Sequence, residues 1–174
     1  MRTRILLIAG AAGLVSLAAI QPASADITAA TITVQGGSLS ISAPTDAGNL
    51  GTRANSVDGG TISGPLGQVQ VNDARSAAAG SGWVATAISS AFTPPTGTAI
   101  AASAVSYSNG TIVKVGTATY TANNPPALTG VTPVLTATGI TGDNSATWNP
   151  TLNVAVPGGL AAGSYTALIT HSVA

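Results

Sequence analysis

The sequence predicts an all-β protein, a single antiparallel β-sandwich of immunoglobulin-like, Greek-key type. Two observations predict it. About ten short runs of strand composition are punctuated by turn residues roughly every 8–12 positions. No window after the first 25 residues carries the periodicity of an amphipathic helix.

The chain begins with a segment of another kind. Arg2 and Arg4 precede an uncharged apolar run, residues 5–20, and Ala23-Ser24-Ala25 is a small-residue cleavage site. This is the pattern of a secretory signal peptide, residues 1–25. The run is short of the roughly 20 residues that span a bilayer. The expected product starts at Asp26, is exported and released, and forms one domain, residues 26–174.

The central stretch is residues 68–92. Residues 68–73 alternate polar and apolar, with Val69 and Val71 on one face, and residues 82–89 form a second run of strand composition. Residues 74–81 are expected to be the loop between them. In a chain with one Phe, three Tyr and two Trp, Trp83 is expected to be a packing centre. Asp73 and Arg75, two apart at the end of the first run, are the one place where opposite charges cluster.

Upstream, residues 30–35 (ATITVQ) and 38–42 (SLSIS) read as strands separated by Gly36-Gly37. Residues 44–60 are rich in Gly, Asn and Asp and read as a long loop holding Arg53, with room for one short strand. Residues 61–67 then lead into the central pair.

Downstream, Pro94-Pro95 forces a break. Residues 104–108 and 111–115 flank Asn109-Gly110, which reads as a hairpin turn because both central positions of a type I′ turn need positive φ. Residues 117–122 and 134–138 are further strands, with a loop expected at 139–144. Residues 147–156 and 164–173 read as a terminal hairpin whose first strand is interrupted by Pro150. The run 157–165 reads as a corner in which Tyr165 bonds back to the backbone upstream.

Composition limits the function. From Asp26 on there are three basic and five acidic residues, a net charge of −2, and charged residues are 6% of the whole chain, against about 25% in ordinary soluble proteins. A surface without a basic patch cannot neutralise phosphates, so nucleic acid is excluded as a partner. Anionic membrane surfaces fall to the same argument, and no membrane insertion of the mature chain is expected. The absence of cysteine removes disulfides, thiolate chemistry and cysteine metal sites.

Catalytic groups are scarce. His171 is the only histidine, and alone it provides neither a triad nor a zinc site. Residues 141–145 (TGDNS) offer oxygen ligands without the charge density of a calcium site and read as an Asx turn. No enzyme activity, metal or cofactor is expected. Asp73 and Arg75 are either a ligand clamp or a local ion pair that orients the loop beside Trp83. Trp83 and Trp148 are either stacking platforms for a sugar or core residues. These four are the candidate binding residues.

Val69-x-Val71-x-Asp73-x-Arg75, then Gly82-Trp83, then Phe92, together resemble the WxL-type surface domain of Gram-positive bacteria. Residues 100–107 (IAASAVSY), Val156-Pro157 and Ala162-Gly163-Ser164-Tyr165-Thr166 fit the same pattern. The resemblance runs from about Ala30 to the end, and the alanine, glycine and threonine bias points to an actinobacterial host. It implies a secreted protein, associated non-covalently with cell-wall peptidoglycan or with a surface partner protein. Two positions depart from the family: its Trp-x-Leu is Trp83-Val84-Ala85 here, and the second, in the last strand, is His171-Ser172-Val173. The alternative expectation is a homo-oligomer, a self-assembling subunit of a surface layer or fibre, since weakly charged strand edges pair with one another.

Overall fold

The computed structural model describes residues 29–174; the expected signal peptide, residues 1–25, lies outside the described residues. Val34–Ala174 is one compact unit. Its strands are β1 (Leu39–Ser42), β2 (Gly60–Pro65), β3 (Val69–Ser89), β4 (Val105–Ser108), β5 (Ile112–Ala122), β6 (Thr132–Trp148), β7 (Thr151–Val156) and β8 (Ile169–Val173). One 3₁₀ turn, Ala102–Ala104, is the only helical element among the described residues. The all-β expectation holds.

All pairings are antiparallel and fall into two sheets. A five-stranded sheet has the order β1-β3-β6-β5, with β8 also on β3; a three-stranded sheet has the order β2-β7-β4. β6 occupies one edge of β3. The other edge is divided between β1, on residues 70–73, and β8, on residues 85–89. Inward residues of both sheets share one core, with Val69, Val71, Leu135 and Trp148 from the first and Val105, Tyr107, Leu152 and Val154 from the second.

The central stretch departs from expectation. Residues 74–81 are not a loop between two strands but a bulged part of one 21-residue strand, β3. Between Asp73 and Trp83, β3 uses ten residues where β6 uses seven, from Asn144 to Ala137. Between Ser145 and Thr138, β6 uses seven where β5 uses four, from Val115 to Thr119. Each extra residue bulges its strand and bends it, so the sheet turns with β5 on the short arc and β3 on the long one. The same geometry absorbs the expected loop 139–144 into β6 and joins residues 111–115 and 117–122 into β5. Gly116 makes the bend possible: its φ is 84°, and a Cβ there would lie 2.5 Å from the Asp143 carbonyl oxygen.

Neither expected hairpin forms. Asn109-Gly110 carries the chain from β4 in one sheet to β5 in the other, and only Gly110 has positive φ. Asn109 is fully buried; its side-chain amide donates to the carbonyl of Val134 and to Asn124 Oδ1, and Asn124 Oδ1 also accepts from the Asn109 backbone N–H at 2.8 Å. A type I′ turn would expose that side chain, so burial decides against the hairpin. Pro150 likewise ends β6 and sends the chain into β7 of the other sheet, so residues 147–156 are not one strand. β7 pairs with β2 and β4, and β8 pairs with β3, so they form no terminal hairpin. A third crossing, from β2 to β3, is fixed at the same corner: Leu66 N–H donates to the Pro150 carbonyl at 2.8 Å, and Gly67 N–H to Asn149 Oδ1 at 3.1 Å.

Other expectations hold. The expected loop 44–60 is a loop as far as residue 59, with no short strand inside it and Gly60 opening β2; Asx turns are closed in it by Gly48 N–H on Asp46 and Gly51 N–H on Asn49. Tyr165 donates to the Ala161 carbonyl at 2.9 Å, the corner expected of it. Residues 30–35 pair with no strand among the described residues, contrary to the pattern of their sequence.

Candidate functional site

The bend in β3 brings Asp73 and Trp83, ten residues apart on one strand, to a common partner. That partner is Asn144, which sits opposite Asp73 in the β3–β6 ladder. Its amide nitrogen donates to Asp73 Oδ2 at 3.2 Å, and its oxygen accepts the Trp83 indole N–H at 2.9 Å. All three side chains are buried.

Asp73 is fully enclosed and fully used. Oδ1 accepts from the Arg75 backbone N–H at 3.2 Å and from Arg75 Nε at 2.8 Å. Oδ2 accepts from Arg75 Nη2 at 2.9 Å as well as from Asn144. The two-toothed grip suits guanidinium and carboxylate geometry. The Arg75 side-chain bonds hold the Asp73 carboxyl below its ordinary range, against the opposing effect of burial, and raise Arg75 in turn. Arg75 Nη2 also donates to the Gly82 carbonyl at 3.2 Å, spanning the bulge. The pair therefore fastens residues 75–82 to the strand ends. Only the outer part of Arg75, 37% exposed, faces solvent.

Tyr120 on β5 closes the cluster. Its ring meets Trp83 edge to face at 5.8 Å, and Lys114 Nζ lies over the same ring, 5.5 Å from its centroid. Burial, and then the Asp73 charge, push the Tyr120 hydroxyl up.

Trp148 belongs to a separate buried chain. Its indole N–H donates to the Tyr107 hydroxyl at 2.9 Å, and that hydroxyl lies 3.1 Å from His171 Nε2. With His171 neutral and protonated on Nδ1, Tyr107 donates to Nε2. Burial pushes the Tyr107 hydroxyl far up and His171 down, each toward its neutral form. His171 borders a cleft of about 830 Å³ beneath loop 43–56, with Ile62, Leu152 and Val154 among its walls.

Asp73, Arg75 and Trp83 are thus assembled together, and Trp148 lies apart from them. Both indoles are 2% exposed; neither presents a ring face on which a sugar could stack. Asn144, Tyr120 and Tyr107 went unrecognised in the sequence. Asn144 lay in a presumed loop, and nothing local marks the two tyrosines as partners of the tryptophans. Among the described residues no three His, Cys, Asp or Glu converge on a metal position, and no helix is long and apolar enough to cross a membrane.

What the fold offers outward is a different surface. On the outer face of the five-stranded sheet, Thr119 lies opposite Thr138 and Thr121 opposite Thr136. Thr136 lies opposite Val84, and Thr86 opposite Ser172, so hydroxyl groups extend across β5, β6, β3 and β8. No outward position on these stretches is charged. Comparison with protein-family models, with curated proteins and with solved structures found no match to this chain.

Proposed function

We propose that the chain is a non-catalytic, secreted surface protein that adheres non-covalently to cell-wall peptidoglycan or to a surface partner protein. In this reading it is a divergent WxL-type domain, and its two sheets are the halves of one immunoglobulin-like β-sandwich. The single observation that carries the reading is the uncharged hydroxyl face built by Thr119, Thr121, Thr136, Thr138, Thr86 and Ser172. Such a face can hydrogen-bond a neutral glycan or a peptide backbone and has no means of holding a polyanion. The titratable groups inside the fold serve structure instead: Asp73 has its acceptor positions filled, and His171 is tied to Tyr107.

Co-sedimentation with purified wall sacculi, with and without their attached glycopolymers, tests the reading. The protein is expected to pellet with both. Thr121→Glu combined with Thr136→Glu puts charge in the middle of the face without touching the core, and that variant is expected to stay folded and remain in the supernatant. Unchanged pelleting of the variant would dissociate the face from adhesion. A second reading, a self-assembling structural subunit, is favoured by exposed apolar side chains on unpaired strand-like stretches.

A further inference from the structure

Among the described residues seven large apolar side chains are exposed, and four of them form two matched pairs. Ile32 and Val34, 89% and 80% exposed, lie two apart in residues 30–35, which have strand composition and pair with no strand among the described residues. Val113 and Val115, both 63% exposed, lie two apart on β5, whose edge away from β6 has no strand partner among the described residues. Both stretches alternate with a period of two, so laying one beside the other sets Ile32 and Val34 against Val113 and Val115 on one face.

We propose that residues 30–35 of one copy add as a strand to the β5 edge of a second copy, along Ile112–Val115. This develops the self-assembly reading and is independent of wall adhesion. The occupant has to be another copy because of where the segment is tethered. Gly37 N–H donates to the Ala74 carbonyl, and Ala74 N–H to the Ser38 carbonyl, which fixes the chain on the β1 side of β3. A Cβ on Gly36 would lie 2.6 Å from the Arg75 carbonyl oxygen, so the glycines are held close against that backbone. β5 is the opposite edge of the same sheet. Crossing from one edge to the other takes several strand spacings of about 4.8 Å, whereas Gly36 alone spans about 3.5 Å. Residues 27–45 contain no charge that would oppose the pairing. The Gly36-Gly37 tether of the donor and the acceptor edge lie on opposite sides of the sheet, so the contact is head-to-tail and adds copies in a line instead of closing a two-fold dimer.

Two variants separate donor from acceptor. Ile32→Lys with Val34→Lys blocks the donor and leaves the edge; Val113→Lys with Val115→Lys blocks the edge and leaves the donor. All four positions are exposed, so both variants are expected to melt as the wild type does. Analytical ultracentrifugation at micromolar concentration is expected to show a concentration-dependent series of oligomers for the wild type and a monomer for each variant. Mixed in equal amounts, the two variants are expected to give a 1:1 pair and nothing larger. A monomeric wild type, oligomers that persist in either variant, or a mixture that stays monomeric would each overturn the proposal. Sacculus pelleting by the donor-blocked variant reads wall adhesion separately.

Discussion

Asn144 faces Asp73 across the β3–β6 ladder and joins that buried carboxylate to the Trp83 indole, with one amide serving both. Ion pair, bulge and tryptophan therefore act as one unit. Asn144→Leu, of similar size, leaves the Trp83 N–H and one Asp73 acceptor unpaired inside the protein. A loss of about 2–3 kcal/mol is expected in urea unfolding. Asn144→Asp is expected to cost more at neutral pH, where it sets a second carboxylate against Asp73, and less as acid protonates one of the two.

Trp83 combines packing with that hydrogen bond, and two substitutions divide them. Trp83→Phe keeps most of the ring contact with Tyr120 and is expected to cost about 1–2 kcal/mol. Trp83→Ala empties the site and is expected to cost about 3–5 kcal/mol. Equal losses in the two variants would mean that the packing of the ring contributes little.

Acid should destabilise the protein in two stages. His171 has its folded-state pKa lowered by burial from an ordinary 6.5. Its unfolded form therefore takes up a proton first, and stability falls as pH drops below that value. Asp73 has its folded-state pKa lowered from an ordinary 3.8, mainly by Arg75. Its contribution is complete above that value and is lost as pH falls through the lower folded value. Melting temperature followed against pH is expected to lose the first stage in His171→Gln and the second in Asp73→Asn. A profile unaltered by either substitution would contradict these assignments.

Tyr107 accepts from Trp148 and contacts His171. Tyr107→Phe leaves the buried Trp148 N–H without an acceptor, and a loss of about 1–3 kcal/mol is expected. The same substitution should perturb the His171 ring signals in NMR spectra; unmoved signals would argue against the contact.

Much of the fold is legible in the sequence because strand composition and turn residues act locally. The all-β class, the long loop 43–59 and the Tyr165 corner all follow from neighbouring residues. What is not legible depends on distant ones. Asn109-Gly110 has the local chemistry of a hairpin, yet burial of Asn109 against Val134 and Asn124 makes it a corner between sheets. Residues 74–81 look like a loop because they are nearly all small, but pairing with β6 draws them into the strand as bulges. In the candidate cluster, Asp73 and Arg75 could be paired from their spacing alone. Their connection to Trp83 runs through Asn144, 61 residues further on than the indole it accepts from, and no local pattern encodes it.

The central claim is adhesion through uncharged contacts, and a salt titration of sacculus binding tests it most directly. Screening weakens attraction between exposed charges and leaves hydrogen bonds between neutral groups largely unaffected. The fraction of protein that pellets with sacculi is expected to stay constant as salt rises to about 0.5 M, where the screening length is only a few ångströms. Binding that disappears over that range, or no pelleting at any salt concentration even with surface extract of the host added, would contradict the account.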